Sequence, residues 1–223
     1  MELYHGSSHV IERPALGVGN PHNDYGLGFY CTQSLDMACE WASSEDANGF
    51  ANHYRLDCER LAILDLSAPE YHILNWLAVL LENRVFRVDG AMPLAAKKYI
   101  LERFMPSYKD CDVVVGYRAD DSYFSFATAF LNGAISVETL GRAMHLGRLG
   151  IQVVPRSERA FEALSFVDAA PVDRDLWFPK KASRDAKARA DFRKMRDFES
   201  ALTGHYAIDM LREEWGDDAA WLR

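Results

Sequence analysis

The sequence has no apolar run long enough for a membrane-spanning helix, which needs roughly 18 or more consecutive apolar residues. The best candidate, residues 74–81, is short and contains Asn75. The N-terminus carries no basic patch followed by an apolar stretch, and the first motif starts at residue 3, which leaves no room for a transit peptide. We therefore expect a cytoplasmic protein that makes no membrane contact.

Cysteine is also scarce, and its placement excludes the common metal motifs. The four cysteines are Cys31, Cys39, Cys58 and Cys111. They form no CxxC pair, and no group of Cys and His residues has the spacing of a zinc site. The sequence therefore predicts reduced thiols and no bound metal.

Positive charge is in deficit overall but concentrated in one segment. The chain has 25 Lys and Arg against 33 Asp and Glu, a net charge of −8. This balance argues weakly against a general nucleic-acid binder. Residues 180–196 hold eight basic and two acidic residues, a net charge of +6, which leaves −14 for the rest of the chain.

The length of 223 residues fits one sizeable domain with or without a small appendage. We expect a mixed α+β body over residues 1–175 and a helical C-terminal extension over residues 176–223. Period-2 and β-branched patterns predict strands near residues 2–8, 27–32, 53–56, 61–66, 112–117, 151–154 and 164–167. Capping signals and helical periodicity predict helices near residues 34–42, 69–82, 94–104, 123–131, 137–146, 157–164, 184–202 and 206–214.

Two short motifs near the start of the chain carry most of the functional information. Residues 3–8 read Leu-Tyr-His-Gly-Ser-Ser, and residues 24–32 read Asp-Tyr-Gly-Leu-Gly-Phe-Tyr-Cys-Thr. They place His5 and Tyr30 at the ends of two predicted strands with glycines beside both. This arrangement suits a pocket for a flat ring attached to a sugar. Residues 150–154, Gly-Ile-Gln-Val-Val, complete the pattern.

These motifs resemble those of the ADP-ribosyltransferase superfamily, on the His-Tyr-Glu branch shared by diphtheria-like toxins and poly(ADP-ribose) polymerases. The closest resemblance is to a bacterial domain family of uncharacterised function that also carries an Ala-Asp-Asp motif, here at residues 119–121. The resemblance covers residues 2–167. It implies an α+β fold of split antiparallel β-sheets surrounded by helices, with NAD as co-substrate and no metal.

The first motif receives three roles from this resemblance. His5 would hydrogen-bond a ribose hydroxyl on the adenosine side of NAD, and Ser7 would help to hold the neighbouring sugar. The Gly6 backbone would face the nicotinamide amide, where a side chain would collide.

The second motif supplies the aromatic groups. Tyr30 would stack on the nicotinamide ring, and Trp41, eleven residues later, lies where related polymerases place a second aromatic. Each ring face would contribute about 0.5–1.5 kcal/mol beyond simple burial. Gly28 would contribute to the same cofactor site, while Ala38 replaces a serine that binds the amide in those polymerases.

The third motif departs from the family pattern, because Gln152 stands where the family has Glu. A Gln keeps one hydrogen bond but brings no charge, and charge-assisted hydrogen bonds are roughly twice as strong as neutral ones. This favours transfer of a single ADP-ribose over polymer formation. Asp120 or Asp121 is a candidate carboxylate that compensates for the missing charge.

The resemblance implies a mono-ADP-ribosyltransferase that modifies a macromolecular target, with a protein favoured over a nucleic acid. It also implies, loosely, a toxin or effector with an antitoxin or inhibitor protein as partner. One alternative is an NAD glycohydrolase with the same pocket. Another is a non-catalytic module that binds NAD or ADP-ribose.

Structural interpretations stand beside each functional one. His5 and Gln152 also fit as hydrogen-bonded strand residues, and Trp41 fits as helix packing. Asp120 and Asp121 also fit as acidic residues that favour the dipole of the following helix. The apolar stripe of the basic segment either packs on the body or binds a partner; its members are Phe192, Met195 and Phe198, with Leu202 four residues further on.

Overall fold

The computed structural model describes residues 1–85, 87–119, 121–146, 150–198 and 203–222, without the side chains of residues 121–123 and 220. Within these residues the chain is an α+β fold with seven strands and eight α-helices. The strands are β1 (Glu2–Ser7), β2 (Cys31–Thr32), β3 (Gly49–Leu56), β4 (Ile63–Asp65), β5 (Val113–Tyr117), β6 (Ile151–Pro155) and β7 (Leu164–Val172). The helices are α1 (Leu35–Ala42), α2 (Ile73–Asn83), α3 (Ala91–Arg103), α4 (Asp121–Leu131), α5 (Val137–Ala143), α6 (Glu158–Glu162), α7 (Arg174–Asp197) and α8 (Ala207–Glu213).

The seven strands form one mixed sheet in the order β4-β5-β6-β2-β1-β3-β7. The strands β4 and β5 run parallel, and every other neighbouring pair is antiparallel. The expected split antiparallel sheets are therefore replaced by a single mixed sheet.

The sheet is weakly paired at its centre. Strand β1 pairs with β3 over its whole length, but its register with β2 consists of one pair, Tyr4 with Thr32. The segment just before β2 is hydrogen-bonded to β6, since the Phe29 N–H donates to the Pro155 carbonyl at 2.9 Å. An opening therefore separates the C-terminal half of β1 from the segment that carries Phe29 and Tyr30.

The predicted start of α1 is confirmed, and that of α2 is wrong. The Ser34 hydroxyl accepts a hydrogen bond from the Met37 N–H at 3.3 Å, as an N-cap serine does. Helix α2 begins at Ile73 and not near residue 69. His72 and Asn75 cap it there, with the His72 N–H donating to Asn75 Oδ1 at 2.9 Å.

The long helix α7 begins earlier than the predicted residue 184. Asp173 caps its N-terminus by accepting a hydrogen bond from the Asp175 N–H at 2.9 Å, and the helix runs through Pro179. Near its other end Phe192 is buried and stacks on Phe126, with the ring centroids 3.8 Å apart. The predicted stripe thus packs through Phe192, whereas Phe198 is 87% exposed.

Apolar side chains cover both faces of the sheet. The larger cluster contains α2, α3 and α4 residues such as Trp76, Ile100 and Phe130. A smaller cluster on the opposite face contains Leu3 and Tyr54. No helix in the described ranges is long and apolar enough to cross a membrane.

Candidate functional site

A cleft of about 400 Å³ lies between helix α7 and the face of the sheet that carries the larger apolar cluster. Its volume is within the range of small-molecule sites. Five basic and two acidic side chains line it, so the cleft favours an anionic ligand. The lining residues are Asn23, Asp24, Tyr30, Trp41, Arg84, Arg118, Ala119, Gln152, Lys181, Arg184, Asp185 and Arg189.

Tyr30 is held rigidly in the wall of this cleft. Its hydroxyl donates to the Gly26 carbonyl at 2.7 Å and accepts from the Tyr25 N–H at 3.0 Å. Burial raises the pKa of Tyr30 well above its ordinary value, so the phenol stays neutral. The ring is therefore a fixed, uncharged aromatic surface.

Trp41 extends from α1 into the same cleft. The Arg118 guanidinium lies 4.7 Å from the centre of its ring, a cation–π geometry. The Trp41 Nε1–H is buried and has no hydrogen-bond partner among the described residues. A buried donor without a partner costs about 1–3 kcal/mol, so this atom is a candidate contact for a ligand.

Gln152 lies at the centre of the sheet, on β6 between Thr32 of β2 and Gly116 of β5. It is 5% exposed and lines the cleft. Its Oε1 is buried and, within the described part of the chain, accepts no hydrogen bond. The predicted residues Tyr30, Trp41 and Gln152 thus meet in one cleft, two of them with unused polar atoms.

His5 lies on the other face of the sheet. Along β1, Leu3 and His5 share the face of the smaller cluster, and the His5 ring packs against Phe29 with the centroids 4.4 Å apart. Its Nδ1 lies 2.7 Å from the Tyr30 carbonyl oxygen. Because a carbonyl only accepts, Nδ1 carries the hydrogen and Nε2 remains an acceptor.

The neutral form of His5 is favoured by its surroundings. Burial lowers the pKa of His5, and the hydrogen bond to the Tyr30 carbonyl opposes this shift only in part. His5 thus bridges the opening in the sheet and presents a hydrogen-bond acceptor beside it.

The glycines of the two motifs have packing roles. A Cβ at Gly6 would lie 2.0 Å from the Ala38 carbonyl oxygen of α1, so Gly6 permits the close approach of α1 to β1. A Cβ at Gly28 would lie 2.5 Å from Val154 Cγ1. Ser7 joins a hydrogen-bond network in which its Oγ accepts from Asn52 Nδ2 at 3.0 Å.

Asp24 and Arg84 form a buried clasp in the cleft that the motif analysis did not identify. Arg84 Nε donates to Asp24 Oδ1 at 2.8 Å, and the Ala119 N–H donates to Asp24 Oδ2 at 2.9 Å. Burial raises the pKa of Asp24 against the opposing effect of the Arg84 guanidinium. The clasp fixes the end of the segment that places Arg118 beside Trp41.

Helix α7 forms the second wall. Arg184 Nε donates to Glu40 Oε2 of α1 at 2.8 Å, and Arg184 Nη2 forms a further contact with the same carboxylate. Lys181 Nζ lies 3.4 Å from the Ser43 carbonyl oxygen. The sequence indicated this wall only through the basic segment. It did not show which of the basic residues face the cleft.

The predicted acidic pair cannot be assigned a place in the cleft. Asp120 lies outside the described residues, and α4 begins at Asp121, whose side chain is also outside the description. In the described part of the chain no group of three or more His, Cys, Asp or Glu side chains could hold a metal ion.

These observations define an α+β protein with a cleft that is cationic and partly lined by aromatic side chains. The chain belongs to the family described as Protein of unknown function (DUF3990), whose model matches residues 1–166. No curated protein and no solved structure matches the chain. The family match ends within β7, so α7 and its wall of the cleft lie beyond the matched residues.

Proposed function

We propose that this protein is an NAD-dependent mono-ADP-ribosyltransferase that modifies a macromolecular target, with a protein favoured over a nucleic acid. The single observation that carries the proposal is the cleft in which Tyr30, Trp41 and Gln152 meet beneath a group of cations. Two of these residues hold buried polar atoms without partners among the described residues. Aromatic faces, unused hydrogen-bonding atoms and positive charge together complement the nicotinamide, ribose and diphosphate of NAD.

The reaction needs little more than this site. The bond between the ribose and the nicotinamide nitrogen breaks, and the ring leaves as neutral nicotinamide with the bonding electron pair. The nucleophile of the target forms a new bond to the same ribose carbon, and its proton passes to solvent. The enzyme accelerates these steps by holding ring and sugar in a reactive pose and by excluding competing water.

Each side chain receives a role in this proposal. Tyr30 and Trp41 hold the nicotinamide ring, and Gln152 Oε1 accepts a hydrogen bond from the adjacent ribose. His5 lies on the other face of the sheet and is not among the residues that line the cleft, so in this proposal it positions Tyr30 through the hydrogen bond between its Nδ1 and the Tyr30 carbonyl. The weak pairing of β1 with β2 leaves the His5 side chain beside the segment that carries Tyr30, which makes this contact possible.

Incubation with adenine-labelled NAD and a cell lysate, separated into protein and nucleic-acid fractions, tests the proposal. We expect label in a macromolecular fraction, reduced about 100-fold or more by Tyr30→Ala, since correct positioning of reacting groups is worth that much. His5→Ala should also reduce it strongly. Tyr71→Ala, which truncates a half-buried tyrosine outside the cleft, is the matched control and should label as the wild type does.

Two outcomes would change the conclusion. Consumption of NAD without labelled macromolecule would assign a glycohydrolase that uses water in place of the target. Intact NAD in every fraction would contradict both activities. Ligand-dependent stabilisation without turnover would then favour a non-catalytic binding module, consistent with the uncharged Gln152.

A further inference from the structure

Three cations of α7 line the cleft, Lys181, Arg184 and Arg189, and they outnumber the two acids beside them among the described side chains, Glu40 and Asp185. Lys181 lies close enough to Arg118 and Arg184 for their charges to lower its pKa, after burial itself as the larger cause. The Glu40 carboxylate is already engaged by Arg184, and Asp185 is 3.8 Å from Arg184 Nη1. Positive charge held in a half-buried cleft is costly unless an anion joins it.

These cations belong to a fixed wall of the cleft. At its N-terminus α7 is tied to the body by the Arg174 N–H, which donates to Asn48 Oδ1 at 2.9 Å. In its middle the Arg184–Glu40 pair joins it to α1, and towards its C-terminus Phe192 stacks on Phe126. A cation on a scaffold fixed at three places loses little entropy when it binds a ligand.

We propose that α7 completes the ligand site by binding a diphosphate through Lys181 and Arg184, together with Arg118 of the body. The inference rests on the proposed function only in naming the ligand as the diphosphate of NAD. Guanidinium groups match pairs of phosphate oxygens, and a Lys ammonium adds a point charge. Arg118 borders Trp41 and the cations of α7, so the diphosphate lies next to the aromatic wall.

The geometry favours a small anion over a nucleic-acid backbone. Lys181 and Arg184 are half-buried and line the cleft, with the Arg184 side chain 15% exposed. A nucleic-acid backbone would contact the outer face of α7, where several cations are already paired with acids of the same helix, such as Lys187 with Asp191. Inside the cleft, Arg184 keeps its pair with Glu40, but its buried Nη1 has no hydrogen-bond partner among the described residues. Lys181 Nζ contacts the neutral carbonyl of Ser43, so both side chains retain donors for a ligand that enters the cleft.

Calorimetric titration of the full chain with inorganic pyrophosphate tests the inference without any turnover. Lys181→Gln should weaken the Kd about tenfold or more, since one charge-assisted contact is lost. Lys181→Arg should stay within about threefold of the wild type, because the positive charge remains. Arg193→Gln, an exposed change of equal charge on the same helix that does not line the cleft, should leave the Kd unchanged.

A merely structural role for Lys181 predicts a lower Tm for Lys181→Gln. We expect a Tm at or above that of the wild type, because burial disfavours this cation, together with the weaker Kd for pyrophosphate. Wild-type affinity for pyrophosphate in Lys181→Gln would overturn the inference. An equal loss in Arg193→Gln would also overturn it, since it would show attraction by general surface charge.

The two proposals can fail separately. If NAD is not consumed but pyrophosphate binding depends on Lys181, the diphosphate site stands and the transferase activity falls. If NAD is consumed and Lys181→Gln leaves both KM and pyrophosphate affinity unchanged, the activity stands and the role of α7 falls.

Discussion

The sheet side of the cleft carries neutral groups, whereas the α7 side carries charge. On the sheet side, Tyr30, Trp41 and Gln152 offer aromatic faces and uncharged polar atoms. On the α7 side, Lys181 and Arg184 offer positive charge. The first wall lies within the residues that the family model matches, and the second lies beyond them.

In the proposed transferase, the two walls would have separate tasks. Neutral groups fixed around the reacting bond act mainly in the transition state, so their loss should lower kcat. Cations that hold a remote, non-reacting group bind substrate and transition state alike, so their loss should raise KM. Variants on the two walls are therefore expected to affect different kinetic constants.

The largest effect is expected on the sheet side, at Gln152. Gln152→Ala removes the buried Oε1 and should lower kcat about 100-fold, the usual loss when one hydrogen bond to a transition state is removed. Gln152→Glu should raise kcat or shift the reaction towards hydrolysis, because it adds a negative charge beside the developing positive charge of the ribose. Steady-state kinetics of NAD consumption measures both changes.

Gln33→Ala is the control for Gln152→Ala, because it truncates an exposed glutamine outside the cleft. It should behave as the wild type. If Gln152→Ala retained the wild-type kcat, the third motif would be misaligned and the sheet side would have no catalytic role.

A smaller effect is expected where the two walls meet, at the Glu40–Arg184 pair. Glu40→Gln removes the carboxylate that accepts both Arg184 contacts and should lower the free energy of unfolding by about 2 kcal/mol. It should also raise KM for NAD, since Arg184 loses its fixed position, while kcat changes less. Urea denaturation and NAD kinetics measure the two effects.

Glu45→Gln is the matched control, since Glu45 is an exposed acid near the same end of α1. A double-mutant cycle with Arg184→Gln isolates the coupling of the pair. Equal losses in Glu40→Gln and Glu45→Gln would mean that general charge, and not this contact, holds α7.

The parts of the fold with local signals could be predicted from sequence. Ser34 at the start of α1 and the β-branched run of β5 are local signals, and each predicts its helix or strand from a few residues. The lengths of β3 and β7 were underestimated, because the length of a strand depends on the strand with which it pairs. Strands β3 and β7 extend through Gly49 and Pro171 because they pair with each other, and an edge strand such as β7 tolerates proline.

The same distinction applies to the cleft. Tyr30 and Gln152 stand out in short motifs, so their meeting in one cleft could be anticipated from a family resemblance. The Asp24–Arg84 clasp joins residues 60 positions apart, and the inward turn of Lys181 depends on how α7 packs on α1. Neither is encoded in a local pattern, because both arise from tertiary packing.

The smallest effect concerns the protonation of Lys181. Its pKa lies below the ordinary 10.5 because of burial, then the charge of Arg118; Arg184 acts in the same direction, against Asp185 and Glu40. As pH rises through this lowered pKa, Lys181 loses its proton and pyrophosphate affinity should fall, by no more than it falls in Lys181→Gln. The free energy of unfolding of the ligand-free protein should rise between that pKa and 10.5, because the unfolded chain binds the extra proton there.

Lys181→Arg should lose the alkaline decline in pyrophosphate affinity, since Arg stays protonated. A decline of equal size in Lys181→Arg would assign it to another group and leave the α7 wall without a titrating residue.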